Sequence, residues 1–226
     1  MRVALFITCI GDAVRPEVGR STTAVLERLG HEVVFPAEQT CCGQMHFNSG
    51  HRAEGERLAR RFGEIFGEFE VIVSPSSSCV GTMREHQPAL EGRLYELSEL
   101  LVNRLAVTDV GAAFPHRVAY HPTCHSLRVT RVGDAPLRLL EAVDGLELVD
   151  LPAATECCGF GGTFALKNAD TSTAMVIDKC AAIAASGASV VTAVDSSCLL
   201  QIGGRLSREG SPVRALHLAE ILAGER

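Results

Sequence analysis

The 226-residue chain has no tryptophan, two tyrosines and only 5% aromatic residues. No apolar run approaches the ~18 residues that a membrane-spanning helix needs, so no span is expected. Positive charge is also in short supply. Twenty-one Lys and Arg against 27 Asp and Glu leave a formal charge of −6, the reverse of the basic patch that a nucleic-acid surface requires. No Cys-x(2–4)-Cys knuckle of the kind used by structural zinc sites occurs. The segment from Met1 to Ile10 carries one positive charge and a short apolar stretch broken by Thr8, with no small-residue cleavage site. That argues for a buried first strand over an export signal, and hence for a cytoplasmic protein. The 46% hydrophobic and 21% charged residues exclude the disordered and collagen-like classes.

What the chain does have is cysteine. Nine occur, at Cys9, Cys41, Cys42, Cys79, Cys124, Cys157, Cys158, Cys180 and Cys198. A reducing cytoplasm disfavours structural disulfides, and an odd count leaves one cysteine without an intramolecular partner. Two pairs are adjacent, each followed by glycine: Cys41-Cys42-Gly43 and Cys157-Cys158-Gly159. Neighbouring Cα atoms lie ~3.8 Å apart, below the usual disulfide range of ~4.4–6.8 Å. Two thiolates ~4 Å apart repel by about 4 kcal/mol at an effective dielectric near 20 unless a cation neutralises them. Adjacent cysteines therefore suit a metal or a cluster.

The chain contains an internal duplication. Residues 30–43, ending in Cys41-Cys42-Gly43, reappear as 145–159, ending in Cys157-Cys158-Gly159. Val71 to Cys79 reappears as Val190 to Cys198, and Arg93 to Leu101 matches Arg214 to Leu222. The offset grows from 115 at Cys9 and Cys124 to 121 at Leu101 and Leu222, as small loop insertions produce. Within each copy strands and helices alternate. Strands are expected at Val3–Ile7, Glu32–Phe35 and Val71–Val73, then at Val118–Tyr120, Leu146–Leu151 and Val190–Val194. One helical stripe runs through Val18, Thr22, Val25, Leu26 and Leu29, with Gly30 as its stop, and a second through Leu58, Phe62, Ile65 and Phe66. A helix is expected over Leu137–Val143, and Ala174, Ile177, Ala181 and Ala184 form a further face. This pattern predicts an α/β fold of two similar Rossmann-like lobes with mostly parallel sheets. The join falls near Ala106–His116, giving units 1–108 and 109–226.

Cys9, Cys79, Cys124 and Cys198 each follow the C-terminal end of an expected strand, the edge at which parallel α/β sheets bind ligands. The paired cysteines sit in loops that can reach the same edge. Each lobe thus offers four thiols: Cys9, Cys41, Cys42 and Cys79 in the first, Cys124, Cys157, Cys158 and Cys198 in the second. Four thiolates hold either tetrahedral zinc or an iron–sulfur cluster. Intervals of 31 to 39 residues use a preformed fold, and a cluster accepts adjacent thiolates on different irons. Iron–sulfur is favoured, with zinc as the alternative.

This doubled pattern resembles the CCG cysteine-rich domains of the heterodisulfide reductase B subunit and the glycolate oxidase iron–sulfur subunit. Tyr120-His121-Pro122-Thr123-Cys124-His125 and the run Glu156 to Phe164 make the chain similar, over nearly its whole length, to the lactate-utilization protein A family. The resemblance implies one [4Fe–4S] cluster per lobe and an electron-transfer role in the cytosolic oxidation of L-lactate to pyruvate. It also implies two partner subunits, at least one of them iron–sulfur. The heterodisulfide reductase relatives end each motif in Cys-x-x-Cys, whereas Thr82 and Gln201 hold the fifth positions here. Their non-cubane geometry and direct disulfide chemistry therefore do not carry over. A thiol–disulfide redox enzyme and a zinc-stabilised binding module are the alternative functions. Cys180 reads as a buried small hydrophobe. His46, His121 and His125 lie near the cysteines as hydrogen-bond donors or ligands and are not assigned as ligands. The glycine-rich run Gly159 to Gly162 lacks the phosphate-loop Lys-Ser/Thr and reads as a loop whose backbone approaches a cluster.

Overall fold

A computed structural model describes residues 1–224. Two four-stranded sheets, parallel throughout, form its frame. The first joins β1 (Arg2–Leu5), β2 (Glu32–Val34), β3 (Ile72–Ser74) and β4 (Leu94–Glu96) in the order β2-β1-β3-β4. The second repeats it with β5 (Arg117–Tyr120), β6 (Glu147–Val149), β7 (Val190–Ala193) and β8 (Arg214–His217) in the order β6-β5-β7-β8. The duplication extends to single hydrogen bonds: Phe6 N donates to the Val73 carbonyl at 2.8 Å, and His121 N donates to the Thr192 carbonyl at 2.8 Å.

The first lobe carries α1 (Cys9–Val14), α2 (Pro16–Arg28), α3 (Gln44–Asn48), α4 (Arg52–Phe66), α5 (Ser77–His86) and α6 (Leu97–Glu99). The second carries α7 (Cys124–Arg128), α8 (Ala135–Glu141), α9 (Phe164–Lys167), α10 (Ala169–Ala185), α11 (Ser196–Arg208) and α12 (Leu218–Ala223). Helix α2 shows why these segments fold locally. Pro16 starts it, Val18, Thr22, Val25 and Leu26 are buried, and Gly30 follows its end with φ +80°.

The six expected strands are all present, but the fourth strand of each sheet is an addition. Segments β4 (Leu-Tyr-Glu) and β8 (Arg-Ala-Leu-His) end in polar residues and run straight into α6 and α12, so no apolar run announces them. One expected face is corrected. Ala174, Ile177, Ala181 and Ala184 lie on the solvent side of α10, whereas Ser172, Val176, Lys179, Cys180 and Ile183 face inward. The inner face escapes a hydropathy reading because two of its members are Ser and Lys.

The lobes share one core. Helix α12 packs on α2, and reciprocally α6 packs on α8. Val18, Val25, Leu26, Leu139, Leu140, Leu218 and Leu222 thereby join a single buried cluster. Arg28 Nη2 donates to the Ala223 carbonyl at 2.7 Å, and its Nη1 donates to that of Leu222 at 3.1 Å, satisfying the C-terminal carbonyls of α12 from the other lobe. Arg15 Nη2 meets Glu220 Oε2 at 2.8 Å beside them.

The equivalent caps of α6 and α12 are Glu96 and His217, both wholly buried. Burial pushes the Glu96 carboxyl up to about 8 and the His217 imidazole down to about 4. Because Glu96 holds its proton more tightly when folded, its contribution is full below the unfolded pKa and is lost as pH rises towards 8. His217 acts oppositely, its contribution being lost as pH falls from 6.5 towards about 4. A Glu96→Gln chain is therefore expected to lose less stability than the wild type between pH 5 and pH 8. The expected difference is at least ~1 kcal/mol, about the value of one pKa unit. Urea denaturation at the two pH values reads it directly, and His217 cancels because it is common to both chains.

Candidate metal centre

The cysteines are placed by strand ends. Cys9 opens α1 after β1, and Cys79 lies in the first turn of α5 after β3. Cys41 and Cys42 occupy the loop between β2 and α3. The second lobe repeats this with Cys124 opening α7, Cys198 in the first turn of α11, and Cys157 and Cys158 in the loop before α9. The glycine after each pair has a specific reason. Gly43 and Gly159 have φ +82° and +84°, in the left-handed region. A Cβ on Gly43 would lie 3.2 Å from the Gly55 carbonyl oxygen, and one on Gly159 would lie 2.6 Å from that of Ser172. The double-cysteine loops thus press against α4 and α10, and each glycine N–H donates to the first sulfur of its pair at 3.4 Å.

Gly159→Ala is accordingly expected to cost roughly 2–3 kcal/mol, the left-handed penalty of about 1–2 kcal/mol plus a backbone clash. Gly210→Ala, with φ +66° and open space around it, should cost only the left-handed penalty of about 1 kcal/mol. Thermal melts of the two variants separate close approach from conformation.

All nine cysteines are free thiols. Cys9 Sγ lies 3.3 Å from Cys41 Sγ, and Cys42 Sγ lies 3.2 Å from Cys79 Sγ. These separations are too long for a disulfide of ~2.05 Å and within hydrogen-bond reach of sulfur. Hydrogen bonds from Cys42 and Cys9 hold Cys41 as the thiolate, far below the usual thiol range. In the second lobe Cys124 and Cys158 do the same for Cys157. The donors Cys9, Cys42, Cys124 and Cys158 are correspondingly pushed up by those bonds and by burial.

The two sets meet. All eight cysteines line one cleft between the lobes, with a cavity of about 90 Å³. Each lobe supplies its own four, and both fours face the same space. The cleft's lining, among the described residues, includes no Arg or Lys. Phe160, Gly161 and Gly162 border it, so the glycine-rich run does bring backbone to the thiols. His125 lines it too, with Nδ1 3.5 Å from Cys124 Sγ and Nε2 2.8 Å from Gln44 Nε2 of the other lobe. His46 Nδ1 is buried without a partner. His121 is wholly buried, and burial and then the Lys179 ammonium push its imidazole down to about 4. The ninth cysteine, Cys180, stands outside the cleft, buried against α11 with Sγ 3.8 Å from the Ile202 carbonyl oxygen.

Thr82 and Gln201 are engaged elsewhere. Thr82 Oγ1 donates to the Ser78 carbonyl at 2.9 Å, and Gln201 Nε2 donates to Ser172 Oγ at 2.9 Å.

One functional residue escaped the sequence reading. Asp195, 1% exposed, bridges the lobes beneath the cleft. Ser76 Oγ and Ser78 N donate to its Oδ1 at 2.8 and 3.0 Å, and Thr123 Oγ1 donates to Oδ2 at 2.7 Å. Its counterpart in the first copy is Ser76, and the two equivalent residues form an isolated antiparallel bridge. The substitution of Asp for Ser just before a cysteine helix was visible in the repeat, but its partners come from the other lobe.

Two α/β lobes, each with a Cys-Cys-Gly loop and two strand-end cysteines, define a protein of paired CCG cysteine-rich domains, and the sequence profile of that domain matches residues 3–84 and 118–203. Over its full length the chain is 44% identical to lactate utilization protein A of Oceanobacillus iheyensis, covering 98% of that protein. It is 45% identical to the same protein of Exiguobacterium sp. over 97% of this chain and 96% of the relative, and 44% identical to that of Geobacillus kaustophilus over 98% of each. The chain belongs to the lactate utilization protein A family. Among its described residues no helix is long and apolar enough to cross a membrane.

Proposed function

We propose that the chain is the iron–sulfur electron-transfer subunit of a cytoplasmic multi-protein system that oxidises L-lactate to pyruvate. In this reading Cys9, Cys41, Cys42 and Cys79 of unit 1–108 hold one [4Fe–4S] cluster, and Cys124, Cys157, Cys158 and Cys198 of unit 109–226 hold a second. The observation that carries the reading is the convergence of two four-thiol sets on one cleft. The donors fit the group: each set is all sulfur, already contains one favoured thiolate, and comes from preformed strand ends. Bound there, a cluster would supply one-electron redox chemistry.

The chain's own part is to ligate, shield and position. Cys42, Cys79, Cys158 and Cys198 are buried, while Cys9, Cys41, Cys124 and Cys157 stand nearer the cleft mouth, where a redox partner could dock. A lining with no Arg or Lys among the described residues favours carrying electrons over clamping a carboxylate. The names of the family relatives support lactate as the pathway. Two partner subunits, at least one of them iron–sulfur, complete the system.

Deleting the gene is expected to abolish growth on L-lactate as sole carbon source and to leave growth on glucose intact. Complementation by the wild-type chain but not by a Cys42→Ser/Cys158→Ser chain would support the assignment. Unimpaired growth of the deletion strain on lactate would overturn it.

A further inference from the structure

We propose that His121 supplies an imidazole nitrogen to the metal centre of the second lobe, so that the two centres differ in ligand set and in potential. This rests on the cluster reading above.

The first observation is an unexplained burial. His121 is 0% exposed, and neither ring nitrogen has a hydrogen-bond partner. The Ala154 carbonyl approaches the ring without reaching hydrogen-bond geometry and accepts from Lys179 Nζ at 3.2 Å, which also donates to the Ala153 carbonyl at 2.6 Å. Buried polar groups almost always find a partner, so an orphaned imidazole points to one that the polypeptide does not provide. The second observation is proximity: a ring nitrogen of His121 and the sulfurs of Cys158 and Cys198 all lie within 4.8 Å of one another.

The third comes from the duplication, which serves as an internal control. Phe6 occupies the matching place in the first lobe, fixed by the matching strand hydrogen bond. Its ring packs edge to face on Phe62 at a centroid distance of 4.9 Å. Gly43 lies over Gly55 and Leu58 as Gly159 lies over Ser172 and Met175, which sets Phe62 opposite Lys179. The fold therefore accepts a Phe–Phe pair behind the first set of thiols and carries a His–Lys pair behind the second. Packing does not demand the histidine.

The chemistry follows. An imidazole gives the second set a donor that the first lacks, and Lys179 places a buried ammonium beside it, whose positive charge favours the reduced state. With Gln201 in the fifth-cysteine position, His121 restores a fifth protein donor in the second lobe, and the first lobe keeps four thiols alone. The second centre then holds the higher potential and is the terminus of electron flow between the two.

The test uses the full chain, reconstituted anaerobically, with iron and sulfide content measured on the same sample before reduction. Pulsed EPR of the reduced wild type is expected to show a strongly coupled nitrogen-14 nucleus that becomes nitrogen-15 when only histidine is labelled. His121→Phe, the first lobe's own residue at this place, should abolish the coupling and keep the four-thiol iron content. It should also shift the second centre's potential, any remaining difference from the first reporting the Lys179 ammonium. His125→Gln should retain the coupling, separating direct ligation from the nearby ring. A loaded cluster without strong histidine coupling, or with coupling unchanged in His121→Phe, overturns the role of His121 and leaves the cluster reading standing. A sample without sulfide overturns the cluster reading, and this one with it. Should His121→Phe fail to fold, the labelled wild type still decides.

Discussion

Asp195→Ala is expected to melt roughly 10 °C below the wild type. The carboxylate accepts from Ser76 Oγ, Ser78 N and Thr123 Oγ1, so its removal orphans three buried donors drawn from both lobes. Each buried donor left unpaired costs about 1–3 kcal/mol, so the three together cost roughly 3–5 kcal/mol. In a chain of this size each kcal/mol moves the melting temperature by roughly 2–4 °C. Asp195→Asn is the informative companion. Its amide oxygen can still accept from Ser76 and Ser78, and the Thr123 hydroxyl can turn to accept from its NH₂ group. More than half of the loss should return. Calorimetry of the two variants therefore separates the hydrogen-bonding geometry from the charge. If Asp195→Ala melted within 2–3 °C of the wild type, roughly the equivalent of 1 kcal/mol, the bridge would not be holding the lobes together.

Cys42→Ser and Cys158→Ser are each expected to halve the iron and sulfide that the reconstituted chain binds, and the double variant to bind almost none. Serine retains the shape of the side chain but offers a hydroxyl that ionises far less readily than a thiol. The two positions are both buried and lie in different sets, so each single change leaves the other four thiols whole. The experiment matters because both sets face one cleft. Loss of all the iron from either single variant would mean that the eight cysteines share one centre. Cys180→Ser serves as the control: it should retain full iron content and cost about 1–3 kcal/mol from a buried hydroxyl. Metal content and a thermal melt on the same preparations report both effects.

Much of the frame was legible because strands buried in a parallel sheet must be apolar on both faces. Val3 to Ile7 and Val190 to Val194 therefore stand out as short continuous runs, and the duplication fixed which segments correspond. The cysteine positions at strand ends followed from the same reading. Other features depend on contacts between lobes, which no local pattern encodes. Asp195 resembles an ordinary helix cap until Ser76, Ser78 and Thr123 arrive from elsewhere in the chain. The meeting of the two thiol sets in one cleft depends on α12 crossing to α2 and α6 to α8. Strands β4 and β8 end in Glu96 and His217 and run straight into helices, so they lack the bounded apolar run that marks the others. The inner face of α10 was missed for a different reason: Lys179 and Ser172 point inward because the second lobe keeps polar groups behind its cysteines, where the first lobe has Phe62 and Gly55. His121 stood out in the sequence as a neighbour of Cys124. Its burial without a partner is a property of the fold alone.

Iron and acid-labile sulfide, assayed on the anaerobically reconstituted wild-type chain after removal of loosely bound metal, test the two-cluster assignment at its root. Two [4Fe–4S] clusters correspond to about eight irons and about eight sulfides per chain, with a brown colour that bleaches on reduction. Stoichiometric zinc in a colourless chain, with no sulfide, would mean that the eight thiols serve structure instead of electron transfer.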